Sequence, residues 1–399
     1  MNDVPLVIRY GTLHHQGAGE PLRNGVLVIE GERITAVGSS ESDLPLGAEV
    51  IEAACVVPGL INAHAHLEMC GEAQTEQHFK LTTPTQRALA CADNARGTLE
   101  AGVTTIRDVG SSDSLAADTR DAINAGRLAG PNVLAAGRVI CMTGGHGWFV
   151  GRQVDGPWDA RKAVREQRRD GADCIKFIAT GGVLTKGAVP GVAQLLEDEL
   201  RAGIEEAHAH GMRCAAHAIG TEGIKNAVRA GIDSIEHGHL IDDEGIALML
   251  EHGTYLVPTL SAPRCILDAG PEAGIPDYVL RKAGELGAEL QRNLVRAREA
   301  GVRFAGGSDA GTPFNTHRDY AFEVELMQSI LGMDVREALY ATTVNGAQLL
   351  GIERGRLEVG QVADLLLLER QLESDARPLR EPLVVVKSGA VAIDRRARR

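Results

Sequence analysis

The hydrophobic pattern divides the chain into two terminal parts and a middle. Near each end, the apolar stretches are short and are separated by turn residues, which is typical of β-strands. They cover 6–9, 25–29, 33–37, 363–368, 384–386 and 390–393. Because such short strands are marginal without partners, we infer that residues 1–57 and 357–399 join into one small β-sandwich domain.

The middle of the chain, residues 58–356, alternates strand-like and helix-like segments. The predicted strands are 60–65, 103–107, 132–136, 174–177, 213–216, 234–236, 255–259 and 303–305. The clearest predicted helices are 159–170, 194–210, 221–230, 242–252 and 278–300. A glycine stands before the next strand, as a helix C-cap would, at Gly102, Gly171, Gly211, Gly231, Gly253 and Gly301.

Eight strands with helices between them predict an α/β fold, a (β/α)8 TIM barrel whose chemistry lies at the carboxyl ends of the strands. The competing architecture is an open, doubly wound sheet. That fold would be supported by a G-x-G-x-x-G motif after the first strand, and the sequence has none there. Residues 58–356 are therefore assigned to a barrel inserted between the halves of the β-domain.

Composition narrows the class of protein further. A hydrophobic content of 44% is ample for a core, and a net charge of −13 argues against a general nucleic-acid binder. The 7 cysteines are scattered without a C-x-x-C pair, which suits a reducing cytosol. With no run of about 18 apolar residues, we expect a cytoplasmic protein that uses no membrane. We also expect a homo-oligomer acting on a small molecule.

Candidate metal ligands lie at the ends of several predicted strands. His64 and His66 end the first strand, and residues two apart on a strand point to the same face. A lone His-x-His pair is weak support for a metal site. The other strands add an amine, two imidazoles and a carboxylate, at Lys176, His217, His237 and Asp309. Packing alone hardly explains so many such groups at one mouth, so we predict a metal centre.

Short motifs around these residues resemble the amidohydrolase superfamily across nearly the whole chain. They are 58–66 (PGLINAHAH), Ala216-His217, Glu236-His237-Gly238 and Gly307-Ser308-Asp309. Two longer motifs, 141–147 (CMTGGHG) and 174–183 (CIKFIATGGV), resemble its binuclear branch. That branch contains Xaa-Pro dipeptidases, basic-residue carboxypeptidases and ochratoxin-cleaving amidases, and is grouped with imidazolonepropionase-like proteins.

The resemblance implies two divalent metal ions and a modified lysine. One ion would be held by His64, His66 and Asp309, the other by His217 and His237, with Lys176 bridging both. An ammonium would repel cations, whereas a carbamate formed on the amine from CO2 is an anionic oxygen ligand. Zinc suits this imidazole and oxygen set, with manganese or cobalt as alternatives.

The resemblance further implies hydrolysis of an amide or C-terminal peptide bond in a dipeptide or N-acyl amino acid. A metal-bridging hydroxide would attack the carbonyl, and Asp309 would move the proton to the leaving nitrogen. His146, in the loop after the third strand, would stabilise the oxyanion or grip the substrate. A purely structural role for this loop histidine remains open.

Four further residues are candidate substrate contacts. His239 follows the sixth-strand ligand, where many relatives have a tyrosine or another residue near the scissile carbonyl. Arg318 is a candidate partner for a substrate carboxylate, although a salt-bridged loop arginine is the commoner outcome. Arg152 and Lys186, in loops predicted to wall the pocket, are weaker candidates of the same kind.

Two other functions remain open. Within the superfamily, the site would also suit a cyclic amide or another non-peptide C–N substrate, which a lactam panel would distinguish from a dipeptide panel. From a different class, the chain would be a non-catalytic metal-binding barrel. A scaffold of that kind needs neither Asp309 nor Lys176, so the presence of both favours the enzyme.

Overall fold

The computed structural model describes residues 4–15, 19–39 and 44–398. Its strands are β1 (Leu6–Leu13), β2 (Leu22–Glu30), β3 (Arg33–Ser39), β4 (Glu49–Pro58), β5 (Leu60–Ala65), β6 (Val103–Asp108), β7 (Asn132–Ala135), β8 (Val139–Met142), β9 (Gly151–Val154), β10 (Cys174–Ile178), β11 (Arg213–Ala218), β12 (Ser234–His237), β13 (Tyr255–Val257), β14 (Leu365–Leu368), β15 (Val384–Lys387) and β16 (Ala390–Asp394). Its helices are α1 (Thr75–Leu81), α2 (Pro84–Glu100), α3 (Leu115–Asn124), α4 (Pro157–Arg169), α5 (Glu197–Ala209), α6 (Thr221–Arg229), α7 (Asp243–His252), α8 (Ser261–Ala269), α9 (Asp277–Glu299), α10 (Tyr320–Leu331), α11 (Val335–Tyr340) and α12 (Gly346–Leu350). Within the described ranges, no helix is long and apolar enough to cross a membrane.

Strands from both ends of the chain share one seven-stranded sheet. Its order is β16-β15-β14-β4-β1-β2-β3, and the two ends meet where Leu366 of β14 pairs antiparallel with Val57 of β4. Buried side chains lie on both faces, with Ile8 in one apolar cluster and Val7 in another. This burial on alternating sides explains why both terminal segments carry β-branched and leucine runs.

The middle of the chain forms a closed, TIM-barrel-like ring of parallel strands. β5, β6 and β7 form one run, and β8 and β10 to β13 form another. Hydrogen bonds close the gaps between these runs, from Asp173 N to Ala135 O (2.7 Å) and from Ala63 N to Gly306 O (2.8 Å). Closure confirms the predicted barrel and excludes the open, doubly wound sheet.

The eighth predicted strand, 303–305, is too short to form more than one bridge with its neighbour. It forms a single parallel bridge, Phe304 to Leu256, and Ala305 N donates to Leu256 O at 2.9 Å. The chain then turns back toward β5, and Asp309 N donates to His64 O at 2.8 Å. The short strand therefore still delivers Asp309 to the carboxyl end of β5.

The predicted helix ends are confirmed at all six glycines. Gly102, Gly171, Gly211, Gly231, Gly253 and Gly301 have φ between 66° and 95°. A side chain at such a φ is strained, so glycine is the residue that lets the chain reverse into the next strand.

The largest difference between a predicted and an observed helix boundary is at the start of α5. The segment predicted as helix from residue 194 enters α5 only at Glu197, because Leu196 is extended and its N–H is bound by the Glu199 carboxylate at 2.8 Å. Gln194 lies instead in the loop before the helix, and its side-chain oxygen accepts a hydrogen bond from His146 N at 2.9 Å.

Candidate metal centre

Three predicted ligands form one compact group at the carboxyl ends of the barrel strands. Asp309 Oδ1 lies 3.3 Å from His64 Nε2 and 3.2 Å from His66 Nε2. Ligand atoms of all three residues lie within 4.8 Å of one another. These are imidazole and carboxylate donors that zinc, manganese and cobalt accept, so this group could hold a divalent cation.

The second predicted pair lies beside the first. The rings of His217 and His237, at the ends of β11 and β12, are 4.4 Å apart between centroids. The His237 ring is in turn 5.2 Å from that of His64. The structure therefore brings all four histidines and Asp309 into one continuous cluster.

Hydrogen bonds to the outer ring nitrogens orient three of these imidazoles. Nδ1 of His64 lies 2.6 Å from Glu236 Oε2, and Nδ1 of His66 lies 2.9 Å from Gly110 O. Nδ1 of His237 lies 2.7 Å from Thr259 Oγ1. Engaging Nδ1 leaves Nε2 free for a metal, which is the usual arrangement around metal-binding histidines.

Glu236 is the part of the site that sequence reasoning missed. Its carboxylate is fully buried and pairs with the equally buried Arg107, whose Nη2 lies 2.8 Å from Oε1. Burial by itself raises the pKa of this carboxyl, but Arg107, Lys176 and His64 outweigh burial and hold the pKa at about 2. Glu236 is therefore a carboxylate that orients His64, a role that its place before His237 could have suggested.

Lys176 lies on β10 with its amine in the cluster. Its Nζ is buried and has no hydrogen-bond partner in the described part of the chain. Burial lowers the pKa of this amine to about 8. A buried, unpartnered amine is costly, and lowering its pKa favours the neutral form that reacts with CO2. The predicted carbamate bridge therefore fits the chemistry of this position.

Two of the predicted ligands have strained backbones. Asp309 has a φ of 58° and His237 a φ of 74°, both in the left-handed region that non-glycine residues rarely adopt. Each such residue costs on the order of 1–3 kcal/mol, and this strain is commonly found at functional sites. The fold therefore holds both side chains in place at some cost to stability.

His146 reaches the cluster from the loop after β8. Its ring lies 4.5 Å from that of His217, and its Nδ1 is 2.8 Å from Thr185 Oγ1. Burial lowers its pKa to about 3, so the ring is neutral at physiological pH. A Cβ added to Gly182 would lie 2.4 Å from His146 Nε2, so the imidazole occupies the space that this glycine leaves open.

His239 also lines the cavity above the cluster. Its Nε2 lies 3.2 Å from Pro258 O, while its buried Nδ1 has no partner among the described residues. Burial lowers its pKa to about 4, so this ring is neutral as well. Both histidines predicted to contact substrate therefore line the cavity beside the cluster.

The three predicted cationic contacts do not reach the cavity. Arg318 points away from it and pairs with Glu100 and, at 3.2 Å, with Asp93. Arg152 lies 2.8 Å from carboxylate oxygens of Asp159 and of Glu166, and Lys186 is exposed. Arg318 is therefore a salt-bridged loop arginine, and Arg152 is salt-bridged as well. The structure does not support a contact between either arginine and a substrate carboxylate.

An apolar wall lines the cavity together with the ligands, and the sequence did not reveal the part that α8 and α9 contribute. It combines helices α8 and α9 with the loop after β10. Its cavity-lining residues include Val183, Leu184, Ala262, Ile266, Ala283 and Leu286. Nothing local in these helices distinguishes them from other barrel helices, so their role is visible only in three dimensions.

The fold and the ligand cluster together define a metal-dependent hydrolase of the TIM-barrel class. The family model of the Amidohydrolase family matches residues 55–392, and the chain belongs to this family. It is a hydrolase that acts on C–N bonds of the amide or peptide type.

Individual relatives align over most of the chain. The ochratoxinase of Aspergillus niger is 31% identical over 96% of this chain and 85% of its own length. Its crystal structure superposes with a TM-score of 0.88, at 28% identity over 98% of this chain and 96% of that one. A Xaa-Pro dipeptidase with methionine bound in its active site gives a TM-score of 0.90, at 33% identity over 97% of this chain and 99% of that chain.

Proposed function

We propose that this protein uses two divalent metal ions to hydrolyse an amide or C-terminal peptide bond in a small substrate. The observation that carries the proposal is the amine of Lys176, buried without a partner beside four imidazoles and a carboxylate. Leaving such a group unsatisfied is costly, and carboxylation with metal binding would satisfy it. The names of the relatives, a dipeptidase among them, support an amide or peptide substrate.

The residues divide into two ligand sets. His64, His66 and Asp309 would hold one ion, His217 and His237 the other, with the Lys176 carbamate shared between them. Zinc is the first candidate on donor chemistry, followed by manganese and cobalt. When bound, such ions lower the pKa of water and polarise the amide carbonyl.

The side chains of the chain itself would then handle protons and charge. The pKa of Asp309 is well below its usual range, since the neighbouring His64 and His66 outweigh the effect of burial. An ionised Asp309 can accept a proton from the attacking water and pass it to the leaving nitrogen. His146, held by Thr185, can donate a hydrogen bond to the carbonyl oxygen as negative charge develops on it.

Metal removal and replacement test the proposal. The protein is stripped with a chelator, reloaded with zinc, manganese or cobalt in bicarbonate, and assayed with dipeptides, N-acyl amino acids, neutral amides and lactams. Hydrolysis of open-chain amides should disappear on stripping and return on reloading. Lys176→Ala should not recover, while Lys186→Ala, an exposed lysine outside the cavity, should recover fully. Metal-independent turnover, or turnover of lactams alone, would contradict the proposal.

A further inference from the structure

Glu323, on α10, is a fully buried carboxylate outside the proposed ligand set. Its oxygens accept hydrogen bonds from the start of α8. Oε1 accepts from Leu260 N at 2.9 Å, and Oε2 accepts from Ser261 N and from Ser261 Oγ, each at 2.7 Å. Leu260, at the N-cap position of α8, supplies no side-chain hydrogen bond to the helix. Glu323 therefore caps α8 from a different element of the fold.

Keeping this carboxylate in the core is costly. Burial raises the pKa of Glu323 to about 7, and the charge of Asp309 adds to the rise. The groups that lower this pKa are uncharged donors, namely the Ser261 hydroxyl and the N–H groups of Leu260 and Ser261. A serine or threonine at position 260 could cap α8 without burying a charge. The helix cap alone therefore does not account for Glu323.

The residue just before this cap, Thr259, contacts a predicted metal ligand. Its Oγ1 donates to Pro258 O at 2.8 Å and lies 2.7 Å from Nδ1 of His237. Because the hydroxyl proton is used by Pro258 O, the lone pairs of Oγ1 are left for His237, which must donate from Nδ1. Nε2 of His237 is then unprotonated and can bind a metal.

Thr259 is held in a strained conformation. Its φ is 50°, in the left-handed region, where a β-branched residue is an outlier. Such a conformation persists only where the surrounding structure fixes it. Strand β13 fixes the chain before this turn, and the bonds to Glu323 fix it afterwards. Helix α10 is itself anchored to β5, since Tyr320 OH donates to Ile61 O at 2.8 Å.

From this chain of contacts we infer that Glu323 is a positioning residue, which holds Thr259 in place and thereby orients His237 toward a metal ion. Glu323 is not among the residues that line the cavity, so its effect must be transmitted through the turn at 259–261. The inference rests on the proposed function and deepens it, because it adds a residue on which the second ligand pair depends.

A double-mutant cycle tests the inference. Glu323→Gln keeps the shape of the side chain but turns an amide NH2 toward donors of the turn, and Thr259→Ala removes the hydroxyl that contacts His237. The full chain is stripped and reloaded with cobalt at pH 8, above the pKa of Glu323. Visible absorption then reports the ligand geometry of the cobalt, and titration reports its affinity.

Each single variant should weaken one of the two cobalt ions about 10-fold and change its absorption, with kcat/KM for amide hydrolysis falling about 10-fold. Because both substitutions act on the same contact, the double variant should fall no more than ~2-fold below Thr259→Ala. Thr259→Ser, which keeps the hydroxyl, should restore the cobalt affinity and the spectrum.

A buried carboxylate elsewhere provides the control for lost stability. Asp364, next to β14 in the terminal sheet, accepts from Ser388 N at 2.7 Å and pairs with Arg354. Asp364→Asn should lower the melting temperature and leave cobalt binding and kcat/KM unchanged. If Glu323→Gln does not fold, Ser261→Ala takes its place in the cycle. It removes one of the bonds to Glu323 and should weaken the same cobalt ion about 3-fold.

The outcomes separate the inference from the proposed function. A wild-type cobalt spectrum and kcat/KM in Glu323→Gln, or in Ser261→Ala where that variant replaces it, would show that Glu323 only caps α8. Additive effects in the double variant would show that Glu323 does not act through Thr259. Either result overturns the inference and leaves metal-dependent amide hydrolysis in place. Failure of the wild type to bind two ions or to hydrolyse any amide overturns the proposed function and the inference with it.

Discussion

Strands β11 and β12 carry a cluster of potential metal ligands at each end, and the two clusters differ in kind. At the carboxyl ends stand His217 and His237, in contact with the other predicted ligands. At the amino ends stand Asp233, His208 and Cys214, whose donor atoms also lie within 4.8 Å of one another. Proximity of donor atoms alone therefore does not distinguish a metal centre from a structural cluster.

The amino-end cluster is already satisfied by the protein. Asp233 Oδ2 accepts a hydrogen bond from Cys214 N at 2.7 Å and lies 2.8 Å from His208 Nε2. Its other oxygen lies 2.6 Å from Arg213 Nη1, and a guanidinium there would repel a cation. Burial raises the pKa of the Cys214 thiol well above its usual value, so the thiolate that binds metals is disfavoured.

The carboxyl-end cluster shows the opposite pattern. The Nδ1 atoms of His64, His66 and His237 make hydrogen bonds to protein oxygens. The Nε2 atoms of His64 and His66 both lie beside Asp309 Oδ1. The Lys176 amine has no partner at all among the described residues. The difference lies in which atoms the protein leaves unsatisfied, and the following predictions test that distinction.

Paired substitutions of one carboxylate from each cluster should give the largest contrast. Asp309→Asn removes a ligand and the proposed proton carrier, so kcat/KM for amide hydrolysis should fall at least ~1,000-fold and bound metal should decrease. Asp233→Asn should keep both the metal and the activity. Kinetics and elemental analysis provide the measurements, and loss of metal in Asp233→Asn alone would reverse the assignment.

Glu236→Gln tests whether the hydrogen bond between Glu236 and His64 contributes to zinc affinity and to stability. The variant leaves Arg107 buried beside a neutral amide, so unfolding in denaturant should become easier by about 3–5 kcal/mol. Zinc affinity, measured by competition with a chromophoric chelator, should fall about 10–100-fold. Glu244→Gln, on the exposed surface of α7, should change neither quantity. Unchanged zinc affinity in Glu236→Gln would show that zinc binding by His64 does not depend on the Glu236 carboxylate.

Gly182→Ala tests the packing of His146 at the carboxyl end. The new methyl group would lie 2.4 Å from His146 Nε2, so the ring must move. We expect kcat/KM to fall roughly 10-fold while the metal content stays the same. Gly287→Ala, on α9, is the matched control. A methyl group added there would meet no atom within 4 Å beyond the adjoining residues and backbone of its own helix, so activity should stay intact. Wild-type activity in Gly182→Ala would argue that His146 is structural.

The smallest effect concerns the acid stability of the amino-end cluster. The pKa of Asp233 is lowered, because hydrogen bonds from His208, Cys214 and Arg213 outweigh the opposing effect of burial. A lowered folded-state pKa gives stability that is present above the unfolded value, near pH 4, and is lost as the pH falls below it. Wild type should therefore be more stable than Asp233→Asn by about 1 kcal/mol at pH 7, with the difference shrinking toward pH 3. Thermal melts across this range would show a constant difference if Asp233 were not involved.

The barrel and the clustering of the candidate ligands could be predicted because both depend on local patterns. Strand ends are marked in the sequence by apolar runs, and ends of parallel strands must meet, so His64, His217 and Asp309 are predictable together. The six glycines after helices are likewise local signals. The minimal eighth strand still delivers Asp309 because the ring closure, and not the length of that strand, sets its position.

The directions taken by the charged side chains could not be predicted because they depend on distant partners. Arg318 turns away because Asp93 and Glu100, far earlier in the chain, compete for its charge. The Glu236–Arg107 pair joins two strands that are separated by several barrel units. The sequence near Arg318 does not reveal its partners, and the sequence near Glu236 places that residue beside a candidate ligand but does not reveal Arg107, because both pairings depend on burial and tertiary contact.

The shared terminal sheet has a consequence for how the protein is made. Strand β4 leaves the ribosome before the first barrel strand, and its partner β14 only after the last barrel helix. Until then the edge of β4 that carries Val57 lacks its native neighbour, and such an edge can pair with other chains. Premature termination after the barrel would leave that edge permanently open. Translation of the final strands is thus the step at which this edge of β4 gains its native neighbour.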